Sequence, residues 1–147
     1  SVTIDGGENA SVQFGRCCHP IPGDDILGYL GRGEGLVIHR QSCESAQRLQ
    51  SKDSERFMAV EWSDEPVRSF EVPLIVTVNN GKGVLARIAS SIASSEADIN
   101  QVNMPDEVRG HEVTEMKFLI SVDHLEHLES VMRNLGWIPS VTSVRRG

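Results

Sequence analysis

Val72-Pro73-Leu74-Ile75-Val76-Thr77-Val78, then Asn79-Asn80-Gly81-Lys82-Gly83, then Val84-Leu85-Ala86-Arg87-Ile88: across this run the hydrophobic spacing changes from alternate residues to helical intervals. Val72, Leu74, Val76 and Val78 alternate strictly, as on a strand with one buried face. Beyond the Asn/Gly break, Val84, Leu85, Ile88 and Ile92 share one side of a helix that the spacing carries to about Ser95. The run therefore reads as a strand, a tight crossover and a helix.

Toward the C-terminus, Ile99 to Met104 is a weaker strand, and a turn is expected around Pro105 to Gly110. Thr114, Met116, Phe118, Ile120 and Val122 give a second clean alternation. Asp123-His124-Leu125-Glu126 has a capping-box pattern and opens a helix with Leu125, Leu128, Val131, Met132 and Leu135 on its face. Trp137 to Val144 supplies a last strand. The order βαββαβ predicts an α+β, ferredoxin-like unit, with two helices covering one face of a four-stranded antiparallel sheet.

Toward the N-terminus the chain is rich in Gly and Pro. Ile26 to Leu30 and Leu36 to Arg40 flank Gly31-Arg32-Gly33-Glu34-Gly35, a hairpin signal. A short helix from Cys43 to about Gln50 is expected, with Ser42 as a good N-cap and Ala46 and Leu49 on its buried side. Phe57 to Trp62 reads as one strand, and Ser63-Asp64-Glu65-Pro66 as a linker. The expected domains are residues 1–66, a small cysteine-containing hairpin/helix unit, and residues 67–147, the βαββαβ unit.

All three cysteines and two of the five histidines fall between Cys17 and Cys43. Thiolates plus imidazole suit a tetrahedral Zn²⁺. The set of choice is Cys17, Cys18, His39 and Cys43, with His19 able to replace one of the first two. Adjacent cysteines must sit on a turn to share one ion, and Pro20, Pro22 and Gly23 make a turn reasonable. Two other readings stay open: buried reduced thiols, and a redox pair at Cys17-Cys18.

The charge balance argues against an autonomous DNA or RNA binder. Net charge is −7, and residues 1–66 hold 6 basic against 11 acidic side chains. No apolar run approaches the ~20 residues of a membrane span. The N-terminus has neither a basic region nor an apolar core of a signal peptide, and it lacks an initiating Met. A cytoplasmic piece of a longer protein is expected. No Walker loop, His-Glu-x-x-His motif or Ser-His-Asp order occurs. Asp24-Asp25 and Asp106-Glu107 are expected to face solvent, and His111, His124 and His127 are assigned no role.

Phe14-Gly15-Arg16-Cys17-Cys18-His19-Pro20-Ile21-Pro22-Gly23-Asp24, with Gly35 to Cys43, closely resembles the conserved-cysteine, zinc-finger-like domain of long RelA/SpoT-family stringent-response proteins. The following unit is similar to their terminal ACT domain. There Asn80-Gly81-Lys82-Gly83-Val84-Leu85 stands where such domains often carry Asp-Arg-x-Gly-Leu-Leu. The resemblance covers roughly residues 10–147 and leans toward the bifunctional, SpoT-like branch. It implies that catalytic domains for making and hydrolysing (p)ppGpp lie outside this chain. The chain itself would be a non-catalytic regulatory region sensing ribosome state, amino acids or partner proteins.

The same resemblance implies zinc at Cys17, Cys18, His39 and Cys43. The edge strands of the ACT-like unit invite pairing, so a homodimer or protein partner is expected through it. The resemblance also implies a small ligand, such as a branched-chain amino acid, near Asn80, Gly81 and Val84 with Ile99 and Asn100. The alternative is a stand-alone zinc- or thiol-based redox or nucleic-acid-binding module.

Overall fold

The computed structural model describes residues 2–9, 11–66, 68–105 and 112–147. Two units separate by their internal packing, Ser1–Arg68 and Ser69–Gly147. The first contains strands β1 (Val2–Ile4), β2 (Val12–Phe14), β3 (Ile26–Gly31) and β4 (Gly35–Arg40), helix α1 (Glu44–Lys52), and strands β5 (Phe57–Met58) and β6 (Val60–Trp62). The expected hairpin is present, β3 and β4 pairing antiparallel from Ile26 opposite Arg40 to Gly31 opposite Gly35. Strands β2 and β5 flank it in the order β2-β4-β3-β5, while β1 and β6 form a separate parallel pair.

Ile4, Ile26, Ile38 and Val60 make the core of this unit, packed by Val12, Phe14, Leu36 and Trp62. Gly28 lets the two layers meet. A Cβ there would stand 2.7 Å from Val60 Cγ2 and 2.8 Å from Leu36 Cδ1, inside any tolerable contact. Two local expectations change. Phe57 to Trp62 is two short strands in different sheets, β5 beside β3 and β6 beside β1, with the chain stepping across at Ala59. Helix α1 begins at Glu44, so the N-cap is Cys43, not Ser42, and it lacks a side-chain capping bond. The Cys43 side chain is engaged elsewhere, as described below.

The second unit has β7 (Phe70–Asn79), α2 (Val84–Ser94), β8 (Asp98–Asn103), β9 (Val113–Val122), α3 (Leu125–Gly136) and β10 (Val141–Arg146). Its antiparallel sheet has the order β10-β7-β9-β8. This is the α+β, ferredoxin-like βαββαβ arrangement. Phe70, Val72, Leu74, Val76 and Val78 of β7 are buried, as are Thr114, Met116, Phe118, Ile120 and Val122 of β9. The helices add Val84, Ile88, Ile92, Leu128, Val131 and Leu135. Each such side chain contributes roughly 1.5–3 kcal/mol on burial, so this unit is held mainly by its core.

Three details depart from the expected pattern. Leu85 is 38% exposed, because Val84, Ile88 and Ile92 fill the inner stripe of α2. Trp137 follows the end of α3 and is 80% exposed, and the last strand starts only at Val141. The cap of α3 is His124, not Asp123: its Nδ1 accepts the His127 N–H at 3.1 Å, while His127 Nδ1 accepts the Asp123 N–H at 2.9 Å. Two histidines thus do the work of a capping box. His111 and residues 106–110 of the expected turn, including Asp106 and Glu107, lie outside the described residues.

Candidate metal centre

After β2 the chain turns over Gly15, whose carbonyl accepts the N–H groups of Cys18 at 3.4 Å and His19 at 2.9 Å. His19 holds φ 44, a left-handed conformation that non-glycine residues enter only under local constraint. This turn brings both side chains of the adjacent pair to one point, their Sγ atoms 3.9 Å apart. His39 arrives from β4, buried, with Nδ1 3.3 Å from Cys17 Sγ and 4.0 Å from Cys18 Sγ. Cys43 closes the group from the start of α1, its Sγ 3.5 Å from that of Cys17. All four donor atoms lie within 4.8 Å of one another.

A zinc–sulfur bond is about 2.3 Å and a zinc–nitrogen bond about 2.0–2.1 Å, so tetrahedral geometry puts ligand atoms roughly 3.5–3.8 Å apart. The measured separations fall around that range. The four donors form a cluster that could hold a metal ion, joining the 15–19 turn, β4 and α1. His19, the alternative donor, is outside it. Gly15 sits close behind the cluster: a Cβ would come 3.0 Å from His39 Nδ1 and 3.2 Å from Cys17 Sγ, so those side chains would have to give by a few tenths of an ångström.

The electrostatics differ from thiol to thiol. Burial pushes Cys18 up to about 12, against the lowering effect of the Arg40 N–H that lies 3.3 Å from its sulfur. Burial also raises Cys17, helped by neighbouring Cys43. For Cys43 burial again opposes ionisation, yet the Ala46 and Ser45 N–H groups at the helix start and the adjoining thiols bring it below its ordinary value. Burial lowers His39, favouring the neutral imidazole that a metal requires. Arg40, Ser45 and Ala46 were invisible as contributors in sequence because they act through the backbone; a cysteine at a helix start was the usable signal.

In the second unit the expected ligand residues divide. Gly81, Val84 and Asn80 line a cavity of about 440 Å³ whose apolar wall includes Leu85, Ala89, Met104 and Met116. The Asn80 amide is turned to structure, Nδ2 donating to Thr114 Oγ1 at 2.6 Å while its N–H bonds Glu112 O. Ile99 and Asn100 are not among the lining residues. Asn100 sits at an irregularity of β8, and its Nδ2 donates to Glu71 and Ser121, each at 2.8 Å.

Residues 2–63 match the RelA/SpoT RIS domain and residues 66–146 match the ACT domain. The chain belongs to the ACT-domain family. Over 143 residues it is 35% identical to the bifunctional (p)ppGpp synthase/hydrolase SpoT of Escherichia coli K12, covering 97% of this chain and 20% of that protein. It is 28% identical over 145 residues to the GTP pyrophosphokinase of the same strain, covering 99% of this chain and 19% of the relative. The chain thus spans about a fifth of the length of the curated relatives it matches. The ACT domain of the Chlorobium tepidum GTP pyrophosphokinase superposes with a TM-score of 0.47 at 16% identity, covering 54% of this chain and 99% of that one. The RIS–ACT order and the likeness to SpoT and the GTP pyrophosphokinase are those of a RelA/SpoT C-terminal regulatory region. Among the described residues no helix is long and apolar enough to cross a membrane.

Proposed function

We propose that this chain is the C-terminal regulatory region of a cytoplasmic, bifunctional (p)ppGpp synthetase/hydrolase and performs no catalysis itself. The observation that carries this reading is the RIS domain followed by an ACT domain, with 35% identity to SpoT over 97% of the chain. Residues 1–66 and 67–147 act as its two domains. The closed four-donor cluster is a structural site: Zn²⁺ at Cys17, Cys18, His39 and Cys43 would supply a cross-link among three segments, with no open position for substrate. The 440 Å³ cavity of the ACT unit, with its largely apolar lining, supports a small ligand with an apolar side chain, such as a branched-chain amino acid. Edge strand β8, with its Val102 40% exposed and the following Met104 36% exposed, supports a second copy or protein partner.

The test has two parts. The purified chain, given ATP with GDP or given ppGpp, is expected to show neither synthesis nor hydrolysis. In the parent enzyme, deletion of the region is expected to change the ratio of synthesis to hydrolysis. Turnover by the chain alone, or an unchanged ratio after deletion, refutes the regulatory reading. Calorimetric titration with valine, isoleucine and leucine tests the ligand separately, and absence of heat up to millimolar concentration removes it.

A further inference from the structure

Strand β3 has β4 along its full length on one side, but on the other it pairs with β5 only at Gly28 and Tyr29. Alternate residues of a strand direct their carbonyls to the same side. Asp25 points toward the β4 side, where its carbonyl accepts the Gln41 N–H at 2.8 Å. The carbonyls of Asp24, Ile26 and Leu30 therefore face the β5 side, and side chains meet all three. Trp62 Nε1 reaches Asp24 at 3.2 Å, Gln41 Nε2 reaches Ile26 at 3.1 Å, and Arg56 reaches Leu30 at 2.9 Å. Beside the Asp24–Leu27 part of this edge lies an open groove of about 650 Å³, whose lining includes Leu27, Met58 and Ala59.

We propose that this groove binds an extended, basic segment of a protein partner, which adds as a short strand along Asp24–Leu27. Peptide N–H groups would take the place of the Gln41 amide on the Ile26 carbonyl, and apolar side chains would rest on the exposed Met58 and Ala59. The charge of the lining selects the partner. Asp24, Asp25 and Glu61 line the groove, and among the described residues no Lys or Arg does. Asp24 is already paired with Arg40 and with the Ile21 N–H, whereas Asp25 and Glu61 are exposed at the rim. Such a rim repels phosphates and disfavours a second copy of this chain, whose net charge is −7. It favours Lys or Arg alternating with β-branched residues.

The probe is a fluorescein-labelled Lys-Val-Arg-Val-Lys-Val peptide, followed by anisotropy with the complete chain. A Glu-Val-Glu-Val-Glu-Val peptide and a decauridylate serve as comparisons. Saturable binding of the basic peptide alone is expected, weakening with salt. Asp25→Lys with Glu61→Lys should weaken it about tenfold, as two exposed ion pairs together allow. Backbone amide shifts should concentrate at Ile26, Leu27, Met58 and Ala59, and the same spectra report whether the variant keeps its fold. Absent binding, equal binding of the acidic peptide, tight binding of the RNA, undiminished affinity in the folded variant, or shifts outside the groove would each overturn the proposal.

Discussion

Cys43 is the thiol of the cluster brought below its ordinary value, because α1 presents its first N–H groups there and the adjoining thiols donate to it. Cys17 and Cys18 are held protonated by burial, and their crowding opposes a second and third negative charge. A divalent cation removes that conflict, so metal binding must expel thiol protons. Adding Zn²⁺ to metal-free chain at pH 7.5 should release about two to three protons per ion, read with an indicator dye in weak buffer. Release of less than one would mean that Cys17 and Cys18 are not ligands. The metal-free chain should also lose stability on both sides of neutrality. The lowered His39 means the unfolded chain binds more protons as pH falls below about 6.5, so stability present above that value declines. The raised Cys18 acts oppositely: its contribution, complete below 9.0, is lost as pH climbs toward about 12. Urea midpoints from pH 5 to 10 would show a maximum between these limits, and a flat profile would contradict the assignment.

Strict alternation made β7 and β9 legible, because each has one face against two helices and the other outside. Unit one was harder, since strands of two or three residues carry no period to read, and β1 was not anticipated. The split of Phe57 to Trp62 depends on Gly28, twenty-nine residues before Phe57, leaving room for Val60. The four clustered donors were legible by their chemistry and spacing, but the turn that unites Cys17 and Cys18 rests on a left-handed His19 that sequence does not announce. Asn80, read as a ligand contact, lines the cavity of about 440 Å³, and its amide also joins the end of β7 to β9 through Thr114. Both side chains are buried, so truncating either leaves a polar partner unsatisfied at a cost of about 1–3 kcal/mol. Asn80→Ala and Thr114→Val should each lower the unfolding free energy by that amount, while the double variant should lose less than the sum. Additive losses in a double-mutant cycle would deny the coupling.

The two units differ in the size of their apolar cores, and the chain's two tryptophans distinguish them. The ACT unit buries most of the large apolar side chains of the molecule, whereas the RIS unit closes around Ile4, Ile26, Ile38 and Val60. A structural zinc site contributes roughly 10–16 kcal/mol in small domains, comparable to the whole stability of an average one, about 5–15 kcal/mol. Removing the ion should therefore loosen residues 1–66 selectively. Trp62 is half-buried in that unit, stacked on Phe14 with ring centres 5.8 Å apart and planes within 1°. Trp137 belongs to the other unit and is already 80% exposed, so its emission changes little on unfolding. A strong chelator should shift tryptophan emission to the red and move one thermal transition to lower temperature, while the transition carried by helices α2 and α3 in far-ultraviolet dichroism stays where it is. Cys43→Ser should reproduce this state without chelator, and added Zn²⁺ should not restore it. If emission and both transition temperatures survive chelation of protein shown to have contained zinc, the ion is not what holds the first unit together.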